Sequence, residues 1–159
     1  MATFNARRDL MLILLRLVVG FGFAAHGYAK LARGPEHFAE ILVSLHVPAP
    51  HLMAWLTTVV ELVGGIGVMA GAFVSLLAIP LTIVLVTAML TVHLQYGFSS
   101  VRLLSVSDSG ATFGPVGYEL DLLYLAALLA VASVGPGNAS VDAWRAARRL
   151  QSSLGRRAS

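Results

Sequence analysis

The chain has 159 residues, of which 57% are hydrophobic and 12% are charged, and its formal net charge is +3. Such a composition excludes a disordered chain, and a sequence without cysteine excludes a disulfide scaffold, a cysteine-ligated metal centre and thiol redox chemistry. A protein of this size cannot hide so much apolar surface from water, so we predict that its solvent is a lipid bilayer.

Four apolar segments have about 20 residues each, the length that an α-helix needs to cross a hydrocarbon core of about 30 Å. They are Leu10–Ala29, Leu52–Val74, Leu76–Leu94 and Val116–Val134. Arg16 interrupts the first segment, which is also long for a signal peptide, so we expect it to be retained. The sequence therefore predicts an all-α membrane protein, an antiparallel four-helix transmembrane bundle that forms a single domain over residues 1–159.

Two further helices are predicted outside these spans. Glu36–Val47 has apolar residues at helical spacing, which predicts a short amphipathic helix on the outer membrane surface. Val141–Leu150 follows a Gly-Pro-Gly break and has Ser140 as its predicted N-cap. Lys and Arg are concentrated in the two tails, so we expect both termini to be cytoplasmic in an inner membrane. The positive charge is explained by this topology, and we expect no nucleic-acid partner.

Arg16 and Glu61 are ionisable residues within the first and second spans. Such residues cost at least about 2.5–3.5 kcal/mol on insertion scales, so we expect them to face the bundle interior. Both lie near mid-membrane on adjacent spans, and we predict that Arg16, or alternatively His26, contacts Glu61. The pair has two interpretations, a functional site or a lock that fixes the register of the helices.

A second polar group gathers near the predicted outer face. It consists of His26, Lys30, His93, Glu119 and Asp121. We expect His26 and His93 to face the interior. Glu119 and Asp121 lie about 200° apart around a helix, so only one of them can point inward.

These residue types have more than one interpretation. Imidazole and carboxylate groups exchange protons near neutral pH, which suits the headgroup of a quinone. Snorkelling of Lys30 and His93 to the interface is the competing interpretation for those two residues. His26, Glu61 and His93 are also of metal-binding types, but their spacing matches no tight motif, and we predict no metal site.

Glycines predict where helices approach closely, because small residues allow backbones into contact within lipid. The expected packing positions are Gly20, Gly27, Gly64, Gly65, Gly67 and Gly71. Gly67 and Gly71 form a GxxxG pair. We favour packing within one chain over a dimer face, and the sequence leaves the oligomeric state open.

Several motifs, taken in order, resemble those of the DoxX family of small bacterial and archaeal membrane proteins. They comprise Leu15–Arg16–Leu17, Ala25–His26–Gly27–Tyr28–Ala29–Lys30–Leu31, Glu61–Leu62–Val63–Gly64–Gly65, Gly71, His93, Tyr118–Glu119–Leu120, and Gly135–Pro136–Gly137 with Ser140 and Asp142. The family's final motif often has Arg and an aromatic residue where this chain has Asn138 and Ala139.

The resemblance implies a four-span helical membrane fold. The family takes its name from a subunit of a thiosulfate:quinone oxidoreductase, and other members are linked to membrane oxidoreductase complexes. It therefore implies a membrane subunit that interacts with a quinone, a soluble redox enzyme or another membrane subunit. The chain has no flavin or haem motif, so we expect no cofactor within it beyond such a quinone. The alternative is a non-enzymatic membrane scaffold or small-molecule carrier.

Overall fold

A computed structural model describes residues 2–158 of the chain, and side chains for residues 6–153. The helices are α1 (Ala2–Arg33), α2 (Pro35–Ser44), α3 (Pro50–Ala70), α4 (Val74–Ala88), α5 (Glu119–Val134) and α6 (Val141–Ala158). After α4 the helix continues through a π-helical turn, Met89–His93, and a 3₁₀ turn, Leu94–Tyr96. Two short strands, β1 (Leu103–Ser107) and β2 (Gly110–Phe113), precede α5. The predicted mostly helical fold is confirmed.

Within residues 2–158, three helical segments are long and apolar enough to cross a membrane, namely Ala6–Arg33, Pro50–Ala70 and Val74–Tyr96. They correspond to the first three predicted spans with different ends. The second ends at Ala70, before the predicted Val74, because Gly71 takes a left-handed backbone conformation (φ +67°) that terminates the helix. Of the predicted span Val116–Val134, only the 16 residues of α5 are helical. They extend about 24 Å, less than the hydrocarbon core of about 30 Å.

Four of the helices pack in a closed ring. In this ring α1 and α4 each contact both α3 and α5. α2 packs across α3 and the end of α1. Buried side chains from all four helices meet at the centre, among them Phe23, Val68, Leu81 and Leu128. The outer faces keep large apolar side chains exposed, as expected for helices that are surrounded by lipid.

The seam between α1 and α3 is closed by glycine. A Cβ atom at position 27 would lie 2.4 Å from the backbone nitrogen of Leu62, and one at position 20 would lie 2.6 Å from the carbonyl oxygen of Gly65. No side chain fits at these distances, so the two backbones meet directly. The contacts also fix the axial register, in which Gly27 faces Leu62 and Gly20 faces Met69.

The other packing glycines differ in their surroundings. Gly64 and Gly67 face the side chains of Leu81 and Leu77 on α4, where added Cβ atoms would lie 3.1 and 2.3 Å away. Gly71 lies beyond the end of α3, so it does not continue a GxxxG face with Gly67. Its φ of +67° favours glycine there. A Cβ atom added at this position would also lie only 2.5 Å from the Cβ atom of Ser140.

The two helices predicted outside the spans, α2 and α6, both form, but with ends that differ from the prediction. α2 begins at Pro35, whose fixed φ suits a first helical position, and ends at Ser44 rather than at Val47. The backbone then turns through His46, which has a φ of +57°. α6 begins at Val141 as predicted but continues to Ala158, beyond the predicted end at Leu150.

A β-hairpin replaces the predicted loop between the third and fourth spans, so the fold is not purely α-helical. Val106 pairs with Ala111, and the side chains of Ser105 and Thr112 hydrogen-bond across the strands at 2.5 Å. The turn ends at Gly110, whose φ of +124° requires glycine. Every residue of both strands is exposed.

Candidate functional site

The buried arginine of α1 lies where α5 ends. Arg16 is 4% exposed, and its guanidinium donates hydrogen bonds to the carbonyl oxygens of Pro136 and, at 2.9 Å, Ala139. Carbonyl groups that follow a helix end have no partner within the helix. Arg16 therefore satisfies the backbone of the α5–α6 connection from a different helix.

The same place joins α6 to the turn between α3 and α4. The amide of Asp142 donates to the carbonyl oxygen of Gly71 at 3.1 Å, and the carboxylate of Asp142 accepts from the amide of Val74 at 3.3 Å. Ser140 accepts from the amide of Ala143 at 3.1 Å, as its predicted N-cap role requires. We call this set the Arg16 junction: Arg16, Gly71, Pro136, Ala139, Ser140 and Asp142.

The predicted contact between Arg16 and Glu61 does not form. Because Gly20 faces Met69, Arg16 lies one turn further toward the α3–α4 turn, about 18 Å along the axis from Glu61 at 1.5 Å per residue. The prediction placed the ends of the first two spans at the same membrane faces. In the structure α1 extends well beyond its predicted span at both ends, which moves Arg16 away from Glu61.

Glu61 pairs with Lys30 instead. Nζ of Lys30 contacts Oε2 of Glu61, and the two side chains are 19% and 8% exposed, respectively. The same ammonium lies 5.0 Å from the centre of the Phe38 ring on α2. Its long aliphatic stem allows Lys30 to reach inward from the last turns of α1, the reverse of the snorkelling that the sequence suggested as an alternative.

A cavity of about 230 Å³ lies beside this ion pair, between the end of α1 and α2. We call it the Lys30 cleft, and it is lined by His26, Ala29, Lys30, Arg33, Gly34, His37, Phe38 and Ile41. Basic and imidazole groups thus share the cavity with an aromatic ring and aliphatic side chains. His26 is exposed on this side of α1, so the prediction that it faces the bundle interior and the alternative pairing with Glu61 are wrong.

α2 is held in place over the cleft by Glu36. The carboxylate lies 2.5 Å from Nδ1 of His51 and accepts a hydrogen bond from Nε1 of Trp55 at 3.2 Å. These two hydrogen bonds, with that of His51 the larger, lower the pKa of Glu36 because they favour the ionised carboxylate. The contact joins the start of α2 to the first turns of α3.

His93 and Asp121 form a separate pair. Nδ1 of His93 lies 2.6 Å from Oδ2 of Asp121, whose side chain is 7% exposed, whereas that of His93 is 32% exposed. His93 ends the π-helical turn, an irregularity that frequently marks functional positions. Glu119 points elsewhere and accepts from the amide of Ser100 at 3.0 Å, so only one of the two acids is buried, as predicted.

The structure therefore distributes the predicted polar residues over four places. Arg16 lies in the junction, and Lys30 and Glu61 adjoin the cleft with His26. His93 pairs with Asp121, and Glu119 contacts the amide of Ser100. Within the part of the chain that the structure describes, no three His, Cys, Asp or Glu side chains lie close enough to hold a metal ion together.

A family model for DoxX matches residues 11–94, from the start of the first span to the π-helical turn. The chain belongs to the DoxX family. A relative from Bacillus subtilis (strain 168), named Putative oxidoreductase CatD, is 29% identical over 94 residues, which are 59% of this chain and 68% of the relative. No solved structure shows a significant match.

In this DoxX protein, the position where the family often has Arg still contacts α1. Nδ2 of Asn138 donates to Oδ2 of Asp9 at 2.9 Å. Ala139 contributes its carbonyl oxygen to Arg16, a contact that does not depend on the side chain at that position. The departure from the usual motif therefore leaves the connection tied to α1 through neutral and backbone groups.

Proposed function

We propose that this DoxX protein is a four-span integral subunit of an oxidoreductase-type complex in the inner membrane, with both termini cytoplasmic. In this proposal α5 is the fourth span, supported by its place in the ring between α4 and α1. A short span is accommodated by local thinning of the bilayer. The excess of Lys and Arg in the two tails supports the orientation.

We further propose that the Lys30 cleft takes the headgroup of a quinone. The observation that carries this proposal is that a part-buried ion pair, Lys30 with Glu61, adjoins a cavity that His26 also lines. A quinone ring accepts hydrogen bonds at its carbonyl oxygens and packs against apolar surface, which Phe38 and Ile41 supply. A cavity of about 230 Å³ has room for the ring, while the tail stays outside in lipid.

The chain's own groups bind the ring by hydrogen bonds and apolar contact. Lys30 is a hydrogen-bond donor at the wall of the cleft, and its ammonium contacts the carboxylate of Glu61. His26 adds a second group at the wall of the cleft that can donate or accept a hydrogen bond. A quinone supplies two-electron chemistry, and the electrons come from a partner, a soluble redox enzyme or another membrane subunit. The name of the Bacillus subtilis relative supports a redox setting.

The test compares two histidines at different places in the fold. His26 lines the cleft, whereas His93 pairs with Asp121 elsewhere, so His93→Gln is the matched control for His26→Gln. The full chain is placed in lipid nanodiscs and titrated with a short-tailed benzoquinone, with binding measured by quenching of tryptophan fluorescence. Loss of one hydrogen bond predicts about 2- to 10-fold weaker binding for His26→Gln and parent-like binding for His93→Gln. A parent that binds no quinone, or equal losses in both variants, contradicts the proposal.

A non-enzymatic membrane scaffold or small-molecule carrier is the second candidate. It is favoured by the Arg16 junction, whose polar groups join helices to one another. Affinity purification from native membranes, followed by mass spectrometry of bound proteins and lipophilic small molecules, separates the two candidates. Copurification of a quinone or of a redox enzyme supports the oxidoreductase subunit, and copurification of structural membrane proteins without either supports the scaffold.

A further inference from the structure

The C-terminal helix α6 holds the positive charge of the chain. It contains five of the eleven Lys and Arg residues and only one of the eight Asp and Glu residues. The net charge of +3 therefore arises entirely from α6. Neither the quinone proposal nor the family match uses this helix, which lies outside residues 11–94.

The helix also separates apolar from charged side chains. At 100° per residue, Ala143, Ala147 and Leu150 fall within a narrow arc, and Arg145 and Arg149 lie on the opposite side. Among the side chains that the structure describes, Leu150 on the apolar side is 64% exposed and the neighbouring Trp144 is 54% exposed, whereas Ala143 is half-buried.

The start of α6 is fixed beside the ends of two candidate spans. Through Asp142 it is hydrogen-bonded to Gly71, where α3 ends, and to Val74, where α4 begins. A turn between two membrane-crossing helices lies at a membrane surface. Arg145 remains at this level, with its guanidinium 4.2 Å from the centre of the Phe73 ring in the same turn.

We propose that α6 lies along the membrane surface and binds the phosphates of anionic phospholipids, with its apolar side in the acyl boundary. An amphipathic helix with arginine on its polar face has the composition of helices that bind in this way. Guanidinium groups match phosphate with paired donors. A soluble acidic partner would satisfy the arginines alone, whereas a bilayer also covers Trp144 and Leu150.

The experiment uses Trp144 as the probe. The chain has two tryptophans, so Trp55→Phe leaves Trp144 as the only one. The full chain is placed in nanodiscs of brominated phosphatidylcholine, with or without phosphatidylglycerol, and bromine quenching reports the depth of Trp144. We expect stronger quenching with phosphatidylglycerol, and a loss of that difference near 1 M salt, where the screening length falls to about 3 Å. Equal quenching in both lipids overturns the proposal. This is also the result expected if the arginines bind a soluble acidic partner instead of lipid.

Arginine variants provide the second measurement. Arg149→Gln is compared with Arg102→Gln, which removes the same charge from an exposed site before β1. Each surface arginine contributes about fivefold to binding of an anionic leaflet. Arg149→Gln, and more strongly Arg148→Gln with Arg149→Gln, should lower the phosphatidylglycerol-dependent quenching. If Arg102→Gln lowers it equally, binding by α6 is wrong.

Discussion

The Arg16 junction and the Lys30 cleft both bury a cation in an apolar bundle, yet their cations have different partners. Arg16 donates to backbone carbonyl oxygens of the α5–α6 connection. Lys30 contacts a carboxylate and a ring, and it faces a cavity. A cavity of about 330 Å³ also adjoins the junction, but Arg16 does not line it.

The difference shows how a polar residue that locks helices is distinguished from one that can exchange partners. Backbone carbonyl groups stay in place, so a cation bound to them fixes the geometry of the chain. A carboxylate partner is a side chain, and a ligand in the adjoining cavity can compete for the ammonium. The sequence places both cations on α1, and their partners separate the two roles.

Replacing Arg16 by Leu should have the largest effect on stability. The change leaves two carbonyl groups, those of Pro136 and Ala139, without the donors that satisfy them. Two hydrogen bonds to a charged donor contribute about 1.5–3 kcal/mol each, so we expect a loss of about 3–6 kcal/mol. The measurement is unfolding in mixed detergent micelles followed by circular dichroism, with the exposed Arg102→Leu as the control. A loss below about 1 kcal/mol would show that the hydrogen bonds from Arg16 to these backbone carbonyl groups do not hold the helices together.

Breaking the Lys30 pair should have a smaller effect that a second substitution reverses. Glu61→Ala leaves the ammonium of Lys30 buried without its carboxylate, which costs about 3–5 kcal/mol for fully buried pairs. We expect the lower limit, because the Lys30 side chain keeps 19% exposure.

Lys30→Met combined with Glu61→Leu removes both charges and should restore most of the stability, since apolar replacements of a buried pair are often neutral. Unfolding of Lys30→Met alone, of Glu61→Leu alone and of the double variant forms a double-mutant cycle. Equal losses in the single and double variants would mean that the two residues do not act as a pair. The double variant should remain folded and lose quinone binding, which separates the cleft from the junction.

The helices were predictable because each depends on local sequence. Runs of apolar residues gave the candidate spans, and Ser140 before Val141 gave the start of α6. The ends were less certain, because the left-handed residue Gly71 ends α3 inside an apolar run. The hairpin was missed although Ser107–Gly110 is rich in turn-forming residues, because the segment lay between two predicted spans.

The pairing of charges was not predictable in the same way. It depends on the axial register of α1 and α3, which is set where Gly27 meets Leu62 and not where the apolar runs begin. A shift of two helical turns moves a side chain by about 11 Å, enough to exchange Arg16 for Lys30 as the partner of Glu61. The burial of Glu61 was predictable because it follows from the cost of placing a charge in lipid, whereas the sequence left open which of Glu119 and Asp121 is buried.

Gly27→Ala tests the seam that connects the two regions. The added Cβ would lie 2.4 Å from the backbone of Leu62, so α1 and α3 must separate. Overpacking of this kind costs about 1–3 kcal/mol. We also expect weaker quinone binding, because Leu62 adjoins Glu61. Gly114→Ala is the control, since its Cβ meets only the Leu104 side chain, at 3.3 Å. Unchanged stability in Gly27→Ala would mean that the register is not set at this contact.

The smallest effect concerns acid pH and only the cleft. Hydrogen bonds from His51 and Trp55 lower the pKa of Glu36 below the ordinary carboxyl value of 4.5. A lowered folded-state pKa stabilises the folded chain above the unfolded pKa, and this contribution is lost as the pH falls through the folded pKa. We therefore expect α2 to loosen over the cleft below about pH 4.5.

The effect on global stability is small because Glu36 is exposed, so the useful measurements are local. With Trp144→Phe, Trp55 is the only tryptophan, and its emission should change on acidification as its hydrogen bond to Glu36 is lost. Glu36→Gln should abolish that change, whereas Glu40→Gln, which alters a neighbouring exposed carboxylate on α2, should not. Quinone binding should weaken over the same pH range, because α2 carries Phe38 and Ile41 of the cleft wall. The hydrogen bonds that Arg16 donates to Pro136 and Ala139 involve no carboxylate and no group from α2, so the loss of stability in Arg16→Leu should stay constant over this range. An acid transition that persists in Glu36→Gln would place the titrating group elsewhere and remove Glu36 as the contact that holds α2.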